Sequence, residues 1–327
     1  MFILIVLGII VALVIFISLY VYHTAFYSPM SKRTTLDDPL VGPQYEAVAE
    51  HLDRIGHIMM NAPCEMVIIE SIDGLKLCGR YYHLKDGAPI EILFHGYRSC
   101  AFRDCSGGHA LSRKLGFNAL VIDQRAHGCS EGTTITFGIK ERQDCLCWIR
   151  YAIERFGEET PIILSGISMG ATTVLMANGL DLPQNVACII ADSPYSSPAA
   201  IIEKVCSDLN YPVILCRPFI YLSALLLGHF HMNSCSAKTA VASARIPILL
   251  IHGEDDRLVP CSMSQEIAAC CASPVTIETF SNAGHGLSYI TDPLRYEKVV
   301  CDFLLSVPSV AGEISKDFRS QYRNPNL

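Results

Sequence analysis

A mostly parallel α/β sheet, covered by helices on both faces, is predicted by three features of the chain. Six short apolar runs, starting near Ile90, Ala119, Ile162, Val186, Ile248 and Val275, are separated by helix-length segments, the alternation that parallel sheets require. Asp73-Gly74 divides Met66–Ile69 from Lys76–Tyr82 and predicts a hairpin opening the sheet. Ile162-Ile163-Leu164-Ser165-Gly166-Ile167-Ser168-Met169-Gly170-Ala171 then reads as a buried strand, a G-x-S-x-G turn and the start of a helix.

The elements before the sheet have distinct characters. Phe2 to Tyr22 contains no Asp, Glu, Lys or Arg, and at about 1.5 Å per residue it is long enough to cross a ~30 Å hydrocarbon core. Residues 1–22 are therefore expected to be a transmembrane anchor, longer in its apolar run than a secretory signal and without a basic leader. Tyr20, Tyr22 and Tyr27 suit an interfacial belt, and Lys32 and Arg33 on the C-terminal side place the body in the cytoplasm by the positive-inside rule. Residues 23–44, polar and marked by Pro29, Pro39 and Pro43, are expected to be a linker with no fold of its own, so that a chain starting near Pro43 would be soluble and active. Val48, Leu52, Ile55 and Met59 recur at helical spacing and predict an amphipathic helix over Tyr45 to Met60, packed on a domain that runs to about residue 310.

Within that domain one interval is too long for a crossover. Residues 194–245 are expected to hold a helical cap over the active site, since Val213–Leu215 and Phe219–Leu227 are densely apolar; an apolar lid suits an apolar acyl group. Residues 311–327 read as a polar tail.

The chemistry is carried by residues that follow one another in a fixed order. Ser168 sits where a tight strand-to-helix turn exposes a hydroxyl, and the N–H of Met169, first in its helix, would point at an oxyanion forming there. Past the apolar run 246–251 stand two competing carboxylates, Asp255 and Asp256, and further on His285 lies in the Gly-flanked loop Asn282–Gly286. In such an arrangement the imidazole takes the serine proton while the acid fixes its tautomer. His95, His127 and His252 each stand beside a glycine at a strand end and read as loop-bracing rather than proton-transferring groups.

These motifs resemble those of the alpha/beta-hydrolase superfamily. The segment His252-Gly253-x-x-Asp256-x-x-Val259-Pro260 is similar to the family's acid loop, which makes Asp256 the acid. Glu91–Tyr97 looks like its third strand and His-Gly turn, which makes the N–H of Tyr97 a second oxyanion donor. Asp123-Gln124-Arg125-Ala126-His127-Gly128-Cys129-Ser130-Glu131-Gly132 resembles its D-x-R-G-H-G-x-S-x-G loop, with Ala126 in place of a glycine, and Thr136–Asp144 resembles a bacterial branch described as serine aminopeptidase-like or lysophospholipase-like. The similarity runs from Glu65 to Leu305.

Composition narrows the function. A net charge of −7 excludes the basic face that nucleic acid demands. The 15 cysteines show no C-x-x-C or His/Cys spacing for zinc, and adjacent Cys270-Cys271 suits a reducing compartment. The expectation is a membrane-anchored esterase or lipase-like serine hydrolase acting on a small-molecule or lipid-like acyl substrate, needing no cofactor or metal. A peptidase or thioesterase with the same triad, and a noncatalytic hydrophobic-ligand binder on the same scaffold, are the rival readings. The pattern assigns no oligomeric state.

Overall fold

The computed structural model describes residues 1–40 and 42–322. Its centre is an eight-stranded sheet of β1 (Glu65–Glu70), β2 (Lys76–Tyr82), β3 (Ile90–Phe94), β4 (Asn118–Ile122), β5 (Ile162–Ile167), β6 (Val186–Asp192), β7 (Ile248–Gly253) and β8 (Val275–Phe280). The spatial order is β1-β2-β4-β3-β5-β6-β7-β8. β1 and β2 pair antiparallel, as do β2 and β4, and every later neighbour is parallel.

Fourteen helices are described: α1 (Phe2–Val21), α2 (Ala49–Met60), α3 (Ala101–Asp104), α4 (Ser106–Leu115), α5 (Glu141–Phe156), α6 (Met169–Ala177), α7 (Pro198–Asp208), α8 (Val213–Leu226), α9 (Ala237–Val241), α10 (Ser262–Cys270), α11 (Ser288–Thr291), α12 (Pro293–Leu305), α13 (Pro308–Ala311) and α14 (Lys316–Tyr322). One sheet face packs against α5, α6, α9 and α10 through Trp148, Val174, Val241 and Ile267. The other packs against α4 and α12 through Leu115, Val300 and Leu304. Strands β3 to β7 are buried almost throughout, which is why they read as continuous apolar runs rather than alternating ones.

Two terminal segments differ from the sequence expectation. The tail is not merely polar, because Ile314 and Phe318 are buried in the core beside α12 and carry α14 with them. Residues 23–44 are not a foldless linker either. A wider, π-type turn at Tyr22–Phe26 prolongs α1, and Phe26 is fully buried, edge-to-face on Phe137 and Phe230 at 5.8 and 5.3 Å. Ser28 N–H donates to Thr133 O and Ile135 N–H to Phe26 O, both at 2.8 Å.

Beyond Phe26 the chain is held by its charges. The Arg33 guanidinium donates to the carbonyls of Gly128, Ser130 and Gly132 at 2.8, 2.6 and 2.7 Å. Arg103 in turn donates to the carbonyls of Leu36 and Asp38 at 3.0 and 2.5 Å, and Leu36 is buried. The segment is a strap laid across the body. Isolated residues that pair with partners nearly a hundred positions away leave no periodic signature, so composition alone misreads them. Amphipathic α2 begins at Ala49 rather than Tyr45, with Leu52 and Met59 buried as the stripe requires.

Because Phe26 fills the junction of strap, cap and body, Phe26→Ala should cost about 3–5 kcal/mol, the usual range for a buried aromatic reduced to alanine. Urea unfolding of the detergent-solubilised protein measures this; a loss below ~1 kcal/mol would mean the strap is not part of the fold. A chain starting at Pro43 should be destabilised in the same assay, contrary to the expectation of an independent body.

Candidate active site

The turn that carries Ser168 is built by two close backbone approaches. A Cβ on Gly170 would lie 2.1 Å from Phe94 O, and one on Gly166 would lie 2.4 Å from the Gly170 carbonyl carbon. Only glycines let the end of β3, the end of β5 and the start of α6 come this near. Between them Ser168 takes φ +55° and ψ −115°, a conformation costly for a residue with a side chain. Its N–H donates to Asp192 O at 2.8 Å, which pins the turn to the end of β6.

The three residues singled out from the sequence meet here. Ser168 Oγ donates to His285 Nε2 at 2.8 Å, and His285 Nδ1 donates to Asp256 Oδ2 at 2.7 Å. All three are buried. Asp256 Oδ1 accepts from the N–H groups of Leu258 and Val259 at 3.0 and 2.8 Å. Burial opposes the charged form of this carboxylate, yet the hydrogen bonds from His252 and His285 outweigh it and hold the group at about 2. Since the folded pKa is depressed, its ionisation stabilises the fold above the ordinary carboxylate range, and that contribution is lost only as the pH falls towards 2. Asp255 is exposed, and its backbone N–H donates to Ala283 O; its carboxylate plays no part in the arrangement.

The other three histidines brace loops. His95 accepts from Gln124 N–H at 3.1 Å and donates to Gly96 O. His127 accepts from Arg98 N–H at 3.0 Å, and burial, reinforced by His95, depresses its pKa well below the imidazole range and keeps it neutral. His252 donates to Val259 O at 2.8 Å, accepts from Ser264 Oγ, and stands 3.3 Å from Asp256 Oδ2, so it positions the acid without reaching the serine.

Tyr97 and Met169 bracket Ser168. Met169 opens α6, and Tyr97 follows Gly96, where a Cβ would lie 3.4 Å from Ser168 Cβ. Among the described residues neither backbone N–H donates to a protein acceptor. Asp104, which sequence reasoning missed, fixes this turn by accepting from Gly96 N–H at 2.7 Å and Ser99 Oγ at 2.6 Å. No motif marks it, because it lies in a short helix with no local pattern.

A cavity of about 890 Å³ opens onto Ser168 and His285, lined by Leu52, Leu93, Leu111, Tyr289 and Val300 and by strap residues such as Leu40 and Tyr45. No residue of 194–245 lines it. The cap expected over the site does not line the cavity: α8 lies against α1 and α7, α9 lies against α6, and cap residues Ile201, Ile202 and Ile220 share one apolar cluster with Met169 and Tyr97. The strap takes the place assigned to the lid. Gln44, also missed, accepts from His285 N–H at 3.1 Å, and Tyr45 Oη donates to His285 O at 3.4 Å. Among the described residues no group of three or more His, Cys, Asp or Glu is placed to hold a metal ion.

Such a sheet and such a serine turn define an alpha/beta hydrolase with serine-hydrolase geometry. Residues 92–211 match the family model described as alpha/beta hydrolase fold, and residues 188–287 match that described as serine hydrolase (FSH1). The chain belongs to the alpha/beta-hydrolase superfamily. It is 25% identical over 238 residues to the uncharacterised protein YqkD of Bacillus subtilis, covering 72% of this chain and 78% of that one. Among solved structures it is similar to the esterase Pf2001 of Pyrococcus furiosus, with a TM-score of 0.62 and 23% identity over 76% of this chain and 95% of that one. An acylaminoacyl peptidase of Pyrococcus horikoshii is similar at a TM-score of 0.56 and 19% identity, over 80% of this chain and 44% of that one.

Gln44→Ala should lower the kcat for an activated ester about tenfold, equivalent to ~1.4 kcal/mol and within the range for one lost hydrogen bond, with KM little changed. Gln44→Glu, which keeps an acceptor, should recover most of the rate. Steady-state kinetics of both variants decide it: equal loss in both, or none in either, would remove Gln44 from the site.

Proposed function

We propose that this alpha/beta hydrolase is a membrane-anchored serine enzyme that cleaves a carboxylic ester or related acyl bond through an acyl-Ser168 intermediate. The observation that carries the reading is the unbroken pair of hydrogen bonds from Ser168 through His285 to Asp256. His285 Nε2 takes the Oγ proton as Oγ bonds to the substrate carbonyl carbon, and the oxyanion that forms is held by the N–H groups of Tyr97 and Met169. The same proton then passes to the leaving oxygen as its bond to carbon breaks. Water, deprotonated by His285, attacks the acyl carbon and releases the acid, and Ser168 recovers its proton. Asp256, ionised throughout by virtue of its depressed pKa, stabilises the transient imidazolium.

An ester is favoured over a peptide by the cavity, whose walls carry Leu40, Leu52, Leu93, Leu111 and Val300, a surface that suits an acyl chain. Membrane anchoring is supported by α1, which is charge-free and almost wholly exposed along its first thirteen residues, an arrangement that water does not tolerate but a bilayer does.

A fluorophosphonate probe should label the wild-type protein and leave Ser168→Ala unlabelled; a well-folded wild type that resists labelling would instead favour a noncatalytic ligand binder. Asp256→Asn should lose about 10⁴ in kcat, the magnitude that a histidine held in the wrong tautomer costs a serine protease, while Asp255→Asn should lose little. A panel of p-nitrophenyl esters run beside aminoacyl-nitroanilides separates esterase from peptidase, and faster anilide turnover would reverse the assignment.

The full-length protein should remain with membranes through carbonate extraction, and its body should resist protease added to intact cells, because Lys32 and Arg33 retain the catalytic side in the cytoplasm. Digestion from outside would invert the orientation. A mature chain lacking α1 would convert the anchor into a signal sequence.

A further inference from the structure

The helix α8 is apolar on all sides, yet only one side is covered. Ile220, Ser223 and Ala224 are buried against the strap and body. On the opposite arc Ile214, Leu215, Leu225 and Leu226 are 85, 66, 51 and 59% exposed. At 100° per residue these four fall on one continuous outward stripe, with exposed Pro218 and half-buried Leu222 between them and half-buried Phe219 at its edge. The one charge in the helix, Arg217, is turned aside into a paired contact with Glu203 of α7, with Nε and Nη2 each 2.9 Å from a carboxylate oxygen. Leu209 and Tyr211, in the approach to the helix, extend the exposed apolar surface at 60 and 50%. Scattered apolar residues on a surface need no explanation, but a contiguous stripe does.

What covers it is indicated by its neighbour. α8 packs against α1, and the only part of α1 withdrawn from the surface is the face formed by Val14, Ile17, Ser18 and Val21. The stretch from Val14 to Val21 is about 10 Å long, the depth to which interfacial helices sink into a leaflet. The remainder of α1, from Phe2 to Leu13, extends beyond the body with every residue exposed.

We infer that α8 is a second membrane-contacting element, embedded beside α1 in the leaflet nearest the body, with Ile214, Leu215, Leu225 and Leu226 facing lipid acyl chains. The inference rests on the anchor reading of α1 and extends it: the body is seated on the bilayer rather than tethered at a distance. The cap thus serves as a docking foot while the strap, which runs from the same membrane edge, lines the cavity. A substrate carried in the bilayer reaches a cavity whose wall begins at Ser31, ten residues after the end of α1.

Tryptophan quenching tests this in the full chain, which has a single tryptophan, the fully buried Trp148. Ile214→Trp, Leu226→Trp, Phe16→Trp in α1 and Leu294→Trp on α12 are each reconstituted in phosphatidylcholine vesicles with and without dibrominated acyl chains. Turnover of p-nitrophenyl acetate checks that each variant folds. The expected result is a loss of the added emission in brominated vesicles for Phe16→Trp, Ile214→Trp and Leu226→Trp, and no loss for Leu294→Trp or the parent. Quenching at Phe16→Trp alone overturns the inference and leaves the anchor standing. Absence of quenching at Phe16→Trp as well defeats the anchor reading together with the inference. If a photoreactive residue at position 214 cross-links to a second copy of this chain in vesicles, the stripe is a dimer interface and the inference falls.

Discussion

The near-contact of backbones around Ser168 is the constraint on which the site depends. β3 and β5 are neighbours in the sheet, and α6 must leave β5 so sharply that a methyl group on Gly170 would overlap the Phe94 carbonyl. That crowding sets Ser168 at a positive φ, aims its hydroxyl outward and points the first amides of α6 at the same spot. The cost of such a backbone, of order 1–3 kcal/mol, is offset by Thr172 N–H donating to Ser168 O and Ser168 N–H donating to Asp192 O. Strand order does the rest. β6 lies beside β5, β7 beside β6 and β8 beside β7, so the loops carrying Asp256 and His285 open on the same edge as the serine, where parallel sheets gather their reactive groups.

Around this core four histidines serve three purposes, and the surroundings separate them. His285 alone links the Ser168 hydroxyl to the Asp256 carboxylate. His95 and His127, stacked edge-to-face at 4.8 Å, instead fill their ring nitrogens with backbone partners. Their task is to hold the loops after β3 and β4 together, which places Tyr97 within reach of the serine. His252 is turned towards Asp256 from below, so the acid is clamped by two imidazoles rather than one.

Much of this was legible in the sequence because parallel sheets write their function at strand ends. Apolar runs such as Ile248–Ile251 end at a His-Gly pair, and Asp256 follows three residues after that glycine. The choice between Asp255 and Asp256 turned on one position of loop spacing, and the side chains diverge completely: one is exposed, the other fully enclosed. What stayed illegible were contacts made by single residues over long separations. Gln44 touches a loop 241 positions away, and Arg33 reads three carbonyls of a loop about 95 to 99 positions away. Neither belongs to a repeat or an amphipathic face, so a Pro-marked polar stretch looked unstructured. The cap was legible as an insertion of helices, but not in its direction, since apolar density is the same whether a helix covers a pocket or rests on something outside the protein.

The strap also constrains the order in which the molecule can be assembled. Residues 26–45 leave the ribosome before the partners they dock on, which lie at Arg98, at Gly128–Ile135 and at His285. Loop closure over such separations is entropically expensive and cannot begin until the distant segments exist. This early part of the body is therefore the last to dock, and Phe26 stays uncovered until its partners exist. Closure of the strap on His285 becomes a late folding event, so a nascent chain arrested before about residue 285 would contain the serine turn without the finished site.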